Sequence, residues 1–446
     1  MDQGGLIYNC AALRSRGARG SPSAPGRGPF RMYFASTDTI LRTSTGVHRR
    51  LVFAGWCAFY FLCLDQYLFE TGVLPVHHAL LIVPFALSII AMAPRGELID
   101  RHVALYVWCL VFVAWTLLGA AAGPFNEGTL WETGARVSFV AFLCLAYFMF
   151  RRSAAVVRDF ALIASLACFI VVPMLIIDLF APQFFTSLNL GRPAGVYINP
   201  NRAAFALVLG YLVAKVTLRS RVRTLQMAVT WIGVLLTASR AGILLMALAS
   251  LVFAIGRRDA PGAFFLRLAG VGSGVVALAA LAVWAVASGA LESLGILSSQ
   301  MESRLESLVA LDLVDYSTLE RESALLTALR VLSDNPFLGA GPGITRVWDE
   351  VPTHNMYLYL GAESGLLGFL LFPALLMASA WPTDRGNVVP LHHLPLVTAF
   401  LVWAMFSNSI FGEKCFVIVI AWMAARCAAE SSPDITRSAA VRDRPA

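Results

Sequence analysis

The sequence predicts an all-α, polytopic transmembrane helical bundle of about twelve spans. Of its 446 residues, 58% are hydrophobic and only 14% are charged, and the mean hydropathy is +0.71. Soluble domains carry roughly 25% charged residues, so this chain lacks the polar surface that a soluble fold of its size needs. The apolar residues also fall into runs near the length of about 20 residues that crosses a bilayer.

The apolar runs define the predicted spans, which lie near residues 51–69, 74–93, 103–122, 133–150, 158–180, 201–218, 224–238, 240–256, 265–289, 354–379, 390–410 and 415–429. No polar loop separates the seventh and eighth spans, so the chain must turn sharply at 237–242. Residues 290–353 form the long connection between spans nine and ten. Ser317 and Glu320 have the spacing of a helix capping box, so we expect this connection to be partly helical and to break at 334–343.

The positive charge behind the net charge of +7 is almost entirely arginine, and many of the arginines occupy alternate gaps between spans. These gap arginines are Arg49, Arg50, Arg95, Arg101, Arg151, Arg152, Arg158, Arg219, Arg221, Arg223, Arg257, Arg258 and Arg267. Short cytoplasmic loops collect Lys and Arg, so both termini are predicted to be cytoplasmic and 290–353 to be periplasmic. Membrane topology thus accounts for the basic charge, and no nucleic-acid partner is expected.

Three regions are predicted along the chain. Residues 1–48 form an Arg-rich cytoplasmic segment of disordered composition, rich in Gly, Ser and Pro; whether residues 1–31 are translated stays open, because Met32 offers a second start. Residues 49–430 form the transmembrane domain, and 431–446 a cytoplasmic tail. The eight cysteines lie almost all inside apolar runs without zinc spacing, which is typical of core residues.

Several arginines lie on the predicted outer face, where the topology rule does not explain them. Arg240 sits between two apolar runs with no acid nearby. Guanidinium suits bidentate binding of phosphate, so an anionic head group is the preferred partner of Arg240. For the arginines of the long connection, ion pairing with the neighbouring glutamates is the alternative.

A histidine near this face is the candidate general base. His354 opens the tenth span beside the outer arginines, and the pKa of histidine lies near neutrality. His77 and His78, at the outer end of another span, are competing candidates. Asn199 and Asn201 precede the sixth span, where helix capping by Asn201 would explain them without any ligand.

Several ordered segments resemble the bacterial O-antigen ligase and polymerase superfamily. They are Gly191–Asn201 (GRPAGVYINPN), Thr237–Gly242 (TASRAG), Arg321, Asn335–Gly343 (NPFLGAGPG), His354–Leu358 (HNMYL) and Glu363–Gly368 (ESGLLG). The resemblance covers about residues 190–370, and the earlier helices match in hydropathy only. Each segment alone is weak, but their order around the long connection is specific.

The resemblance implies a glycosyltransferase of the bacterial inner membrane that works at the periplasmic face. It would move a glycan from an undecaprenyl-diphosphate carrier to an acceptor hydroxyl, on lipid A core or on a growing glycan. By the same match, Arg240 and Arg321 would bind the diphosphate and His354 would accept the hydroxyl proton. Arg202, Asn199, Asn201 and Asn355 join them as candidate substrate-binding residues. No cofactor or metal is implied.

Two alternatives stay open. Within the class, an O-antigen ligase is preferred, but a polymerase of O-antigen or exopolysaccharide repeat units fits the same motifs. From another class, a transporter would place ionisable groups near the bilayer midplane. The only such residues expected within spans are Asp178, Lys215 and Glu363, and the two halves show no internal repeat.

Overall fold

The computed structural model describes residues 37–75, 77–92, 102–152, 154–181, 184–185, 192–217, 220–255, 316–346, 353–381 and 393–430. Within these ranges the chain is helical and contains no strand, as predicted. The chain divides into two compact units, Met1–Gly46 and Val47–Ala446. Of the unit Met1–Gly46, the described residues are only 37–46, which form the start of one helix. All packing and contacts below belong to the second unit.

The described helices are numbered in chain order. They are α1 (Thr37–Phe61), α2 (Leu64–Glu70), α3 (Ile82–Ala91), α4 (Val103–Ala122), α5 (Glu127–Arg151), α6 (Ala154–Phe180), α7 (Pro200–Thr217), α8 (Ser220–Leu236), α9 (Arg240–Ile255), α10 (Tyr316–Asp334), α11 (Met356–Ala380), α12 (Leu394–Trp403) and α13 (Lys414–Glu430). Short 3-10 helices add His78–Leu81, Gly195–Tyr197 and Ile344–Arg346.

Every predicted span but one overlaps a described helix, although the α-helices in 74–93 and 390–410 have only ten residues each, and the exception, 265–289, lies outside the described residues. By length and composition, only α4, α5, α6 and α11 among the described helices can each cross a membrane alone. A fifth crossing is possible if α1 and α2 form one bent span. The count of about twelve therefore stays a prediction. The helix expected within 290–353 is present as α10, which ends at Asp334 before the glycine-rich turn.

Helix α4 shows why these helices need lipid. Leu105, Trp108 and Phe112 recur at helical spacing and are buried against the protein. The opposite side exposes Leu110 at 70% and Leu117 at 50%. A continuous apolar surface of this kind is unfavourable in water and suits the hydrocarbon of a bilayer.

Helices α7 and α13 form the centre of the bundle. Residues 203–214 of α7 and 415–425 of α13 are buried without interruption. A helix that is apolar all round belongs in a protein interior, and both helices pack against α6. These two predicted spans therefore lie among other helices instead of facing lipid.

The predicted span at 51–69 is broken in the structure. Cys63 adopts a left-handed conformation with φ +57°, and the axes of α1 and α2 differ by 57°. A second break lies inside α11, where Gly365 has φ +70° and ψ −167°. Neither break was predicted, because both residues lie within otherwise continuous apolar patterns.

Candidate functional site

Three helices that carry the sequence motifs begin in the same unusual way. Ile198, Ala238 and His354 have positive φ values of 64°, 48° and 48°. Each is followed by a polar residue whose side chain accepts a hydrogen bond from the first turn of α7, α9 or α11. Left-handed backbone costs about 1–2 kcal/mol for a residue with a Cβ and is concentrated at functional sites.

The first two motifs are joined by direct contacts. Arg192 Nη2 donates to the Thr237 carbonyl (2.9 Å) and to Asn201 Oδ1 (3.1 Å). Ser239 Oγ donates to the same Asn201 oxygen at 2.9 Å. Asn199, and not Asn201 as predicted, caps α7, since its Oδ1 accepts from the Asn201 backbone nitrogen at 2.9 Å. Asn201 therefore connects the starts of α7 and α9.

Arg202 joins the start of α7 to the start of α13. Its Nε lies 3.1 Å from Glu413 Oε1, and its Nη1 donates to Gln66 Oε1. Lys414, which follows Glu413 in the chain, donates from Nζ to Oδ2 of the buried Asp65 at 3.0 Å. The segment 404–413 is thus held between α2 and α7, and the Arg202 guanidinium contributes to that attachment.

His354 and Arg321 come together although 33 residues separate them (354 minus 321). Helix α10 packs on α11, which brings the Arg321 guanidinium close to the imidazole. Burial, and then the positive charge of Arg321, lower the pKa of His354 to about 4. The adjoining Met356 nitrogen donates to the Ala404 carbonyl at 2.7 Å, so His354 lies beside the end of α12. Asn355 caps α11, accepting from Tyr357 and Leu358 nitrogens.

Arg240 is the first residue of α9. This helix packs on both α7 and α12, and an added Cβ at Gly242 would lie 2.5 Å from the Ala204 Cβ. The contacts just described therefore gather the starts of α7, α9, α11 and α13 at one end of the bundle, called the motif end below. Arg240 lies at this end, as His354 does.

The glycine-rich turn after α10 lies between the start of α5 and the break at Gly365 in α11. Gly339, Gly341 and Gly343 have positive φ values of 72°, 97° and 83°. A Cβ on Gly343 would lie 2.2 Å from the Gly128 carbonyl oxygen, before α5 has completed its first turn. The Leu366 nitrogen, beside the Gly365 break, donates to the Pro336 carbonyl at 2.8 Å. Close backbone contact explains why this turn consists of glycines.

Glu363 lies at the centre of a buried charge network. Its carboxylate pairs with Arg136 of α5 and accepts from the Thr345 hydroxyl. Arg136 also donates to Ser364 Oγ at 2.9 Å and lies 3.4 Å from Glu132, which in turn pairs with Arg346 at 3.3 Å. Partnered buried charges of this kind hold elements together, because breaking one pair leaves an uncompensated charge.

The network corrects the expectation that only three ionisable residues lie within spans. Arg136 is 1% exposed inside the predicted span 133–150. The sequence reading missed it, although a charged residue within an apolar run is itself a signal of a buried partner or a site. Asp178 Oδ2 accepts from the Ala194 nitrogen at 2.8 Å, and Lys215 Nζ donates to the Tyr211 hydroxyl. These contacts are structural and give the transporter alternative no support.

The fold and site define an integral membrane protein with polar, strained motifs gathered at one end of its bundle. Residues 225–372 match the family model described as O-Antigen ligase. The match supports the O-antigen ligase and polymerase superfamily and confirms the resemblance found in the sequence. It includes Arg240, Arg321, His354 and the glycine-rich turn, whereas the segment 191–202 precedes it. No curated protein matches the chain.

Proposed function

We propose that this protein is an O-antigen ligase-type glycosyltransferase. In this proposal it transfers a glycan from an undecaprenyl-diphosphate carrier to an acceptor hydroxyl, at the periplasmic face of the bacterial inner membrane, without a metal or cofactor. The O-Antigen ligase match at 225–372 supports the family and ligase or polymerase activity in general. The donor, acceptor and orientation are part of the proposal.

One observation carries the chemistry: a half-buried histidine with a lowered pKa lies near a cation at the motif end. A pKa near 4 leaves the His354 imidazole unprotonated at neutral pH, which is the form that accepts a proton. Arg321 supplies the positive charge that an anionic leaving group needs. The two groups are held in place because the glycine-rich turn fixes how α10 enters the bundle relative to α11.

In the proposed step, the acceptor hydroxyl oxygen attacks the anomeric carbon of the donor glycan. The bond between that carbon and the phosphate oxygen breaks, and undecaprenyl diphosphate leaves with the electron pair. The hydroxyl proton passes to His354. Arg240 and Arg321 bind the diphosphate and stabilise the negative charge that develops on it.

The remaining candidates act differently in this proposal. The side-chain oxygens of Asn199, Asn201 and Asn355 accept bonds that cap or join helices, and Arg202 pairs with Glu413. We assign these four residues to positioning the helix starts around the donor. A polymerase would use the same arrangement with a lipid-linked glycan as acceptor.

The test is replacement of His354 in the native host, followed by gel analysis of surface polysaccharide at matched protein level. His354→Ala and His354→Asn should both lose glycan transfer; asparagine tolerates left-handed backbone, so the second variant preserves the helix start. His48→Ala, an exposed histidine of α1, is the control and should behave as wild type. Normal polysaccharide with both His354 variants, at normal protein level, would overturn the assignment.

A further inference from the structure

Two adjoining clefts open beside the site at the motif end. The smaller, of about 540 Å³, is lined by residues including Glu132, Thr345, Tyr359 and Asn408. The larger, of about 830 Å³, includes Trp131. Both are lined by Arg346 and Gly412, so they lie side by side between α2, α5 and the segment 404–413. Their volumes fall in the range of about 300–1,000 Å³ that is typical of ligand sites.

We propose that these clefts form the binding site for the acceptor saccharide, with Trp131 as the surface on which a sugar ring stacks. The proposal rests on the proposed function, because it names the acceptor side of the same reaction. It assigns the donor and the acceptor to different sides of α11.

Trp131 has the placement that a sugar-stacking residue needs. It is 48% exposed, so much of its indole ring is available to a ligand. The Arg346 guanidinium lies over the ring, 5.9 Å from its centroid, and the His77 ring meets it edge-on at 4.9 Å. A tryptophan that only anchors the protein at the membrane interface would face lipid head groups, whereas this ring lines a cleft and contacts Arg346 and His77 there.

The smaller cleft adds the hydrogen-bonding groups that saccharide hydroxyls require. Glu132 offers acceptor oxygens, Asn408 both donor and acceptor atoms, and Tyr359 a hydroxyl. Sugar hydroxyls both donate and accept, so a lining that mixes these groups around an aromatic surface fits a hydroxylated ring. An apolar lipid tail would leave the same groups without partners at a cost in free energy.

Charge argues against the diphosphate donor as the occupant. Glu70 and Glu127 line the larger cleft and are exposed. The cations there are already matched, since Arg346 pairs with Glu132 and Lys414 with Asp65. A diphosphate would meet excess negative charge in this cleft, whereas a neutral or amino sugar would not.

The clefts are also close to the proposed base. Tyr359, which lines the smaller cleft, is three residues after Met356, the first residue of α11. This separation is less than one helical turn of about 5.4 Å. His354 lies two residues before Met356. On the other side, Asn408 follows the Ala404 carbonyl that binds the Met356 nitrogen. An acceptor hydroxyl at the inner end of this cleft would therefore approach His354.

The experiment measures saccharide binding and transfer separately, on full-length protein in nanodiscs. The binding probes are core oligosaccharide released from host lipopolysaccharide by mild acid, and the lipid-free repeat unit, followed by saturation-transfer NMR. Trp131→Ala should weaken binding of the oligosaccharide and raise the acceptor KM by about tenfold, which corresponds to about 1.4 kcal/mol. The donor KM should change by less than about twofold. Trp131→Phe should retain most binding.

Trp381→Ala is the matched control, because Trp381 is also partly exposed, at 39%, but follows the far end of α11; it should bind as wild type does. Unchanged oligosaccharide binding in Trp131→Ala, or a rise in the donor KM instead, would overturn the acceptor site. His354→Ala should lose transfer and keep binding. If His354→Ala transfers glycan normally, the proposed function is wrong. The binding results for the Trp131 variants would still show whether the clefts bind the acceptor saccharide.

Discussion

At the residue scale, His354 combines three properties that its position in the chain does not suggest. Its backbone is left-handed, its side chain is half-buried, and Arg321 lies beside it. Burial and the neighbouring cation both favour the neutral imidazole. When the diphosphate binds beside His354, its negative charge would offset the positive charge of Arg321. The pKa of His354 would then rise, and the imidazole would become a stronger base.

This environment predicts the pH dependence of transfer. Since the pKa of His354 is lowered to about 4, protonation of this residue should not reduce kcat/KM between pH 8 and 5, and the acid limb should appear only near pH 4. Replacing Arg321 with Gln removes the smaller of the two causes, so the pKa should rise but stay below the ordinary value of about 6.5. The measurement is an NMR titration of the imidazole in both proteins. A wild-type pKa near 6.5 would contradict the structure.

Residue types were easier to predict than residue partners. Arg240 was predicted from its place outside the charge pattern, His354 from its position at the start of a span, and Arg321 from the family resemblance; the structure brings the last two near each other. Arg202 was also predicted as a candidate residue. Its ion-pair partner Glu413 lies 211 residues further along the chain (413 minus 202). No local pattern encodes a pair at such separation, because it depends on which helix starts meet.

At the element scale, helix positions follow from the apolar pattern, whereas helix breaks follow from packing. The predicted bounds 103–122 are those of α4. The break at Gly365 was not predicted, because its cause is the Phe337 carbonyl, which would lie 2.2 Å from a Cβ there. A glycine inside an apolar run indicates close approach only once the approaching backbone is known.

The glycine-rich turn gives a test of this argument. Gly343→Ala would add a Cβ 2.2 Å from the Gly128 carbonyl oxygen at a φ of +83°, so we expect destabilisation of about 3 kcal/mol. Gly55→Ala is the control, because nothing lies within 4 Å of its Cβ and alanine favours a helix. Thermal unfolding of the detergent-solubilised proteins should show a lower Tm for Gly343→Ala alone. Equal Tm values would refute the close contact.

At the scale of the whole molecule, long-range contacts collect the motifs at one end of the bundle. The opposite end is marked by the ion pair between Arg50 and Asp159 and by the Cys427 thiol near the Ala380 carbonyl. The charge pattern predicts that the motif end faces the periplasm, because Arg50, one of the gap arginines, lies at the other end.

Labelling of single cysteines checks this orientation. In a cysteine-free background, Phe337→Cys in the connection 290–353, which is predicted to be periplasmic, should react in intact cells whose outer membrane is permeabilised, since Phe337 is 81% exposed. The reagent is a maleimide that cannot cross the inner membrane. Arg50→Cys, at the opposite end and also exposed, should react only after the inner membrane is opened. The reverse pattern would invert the predicted topology and move the proposed reaction to the cytoplasm.

The sequence by itself determined that this chain is a membrane protein and where most of its described helices lie, whereas the periplasmic face of the motifs stays a prediction. Hydropathy and charge alternation are local properties, and they act on each segment as it meets lipid or water. Only the tertiary structure decided which residues meet: Arg192 bonds to the 237–239 turn, Arg136 pairs with Glu363, and Arg321 lies near enough to His354 to lower its pKa. These pairs join elements far apart in the chain, and no local pattern specifies which elements pack together.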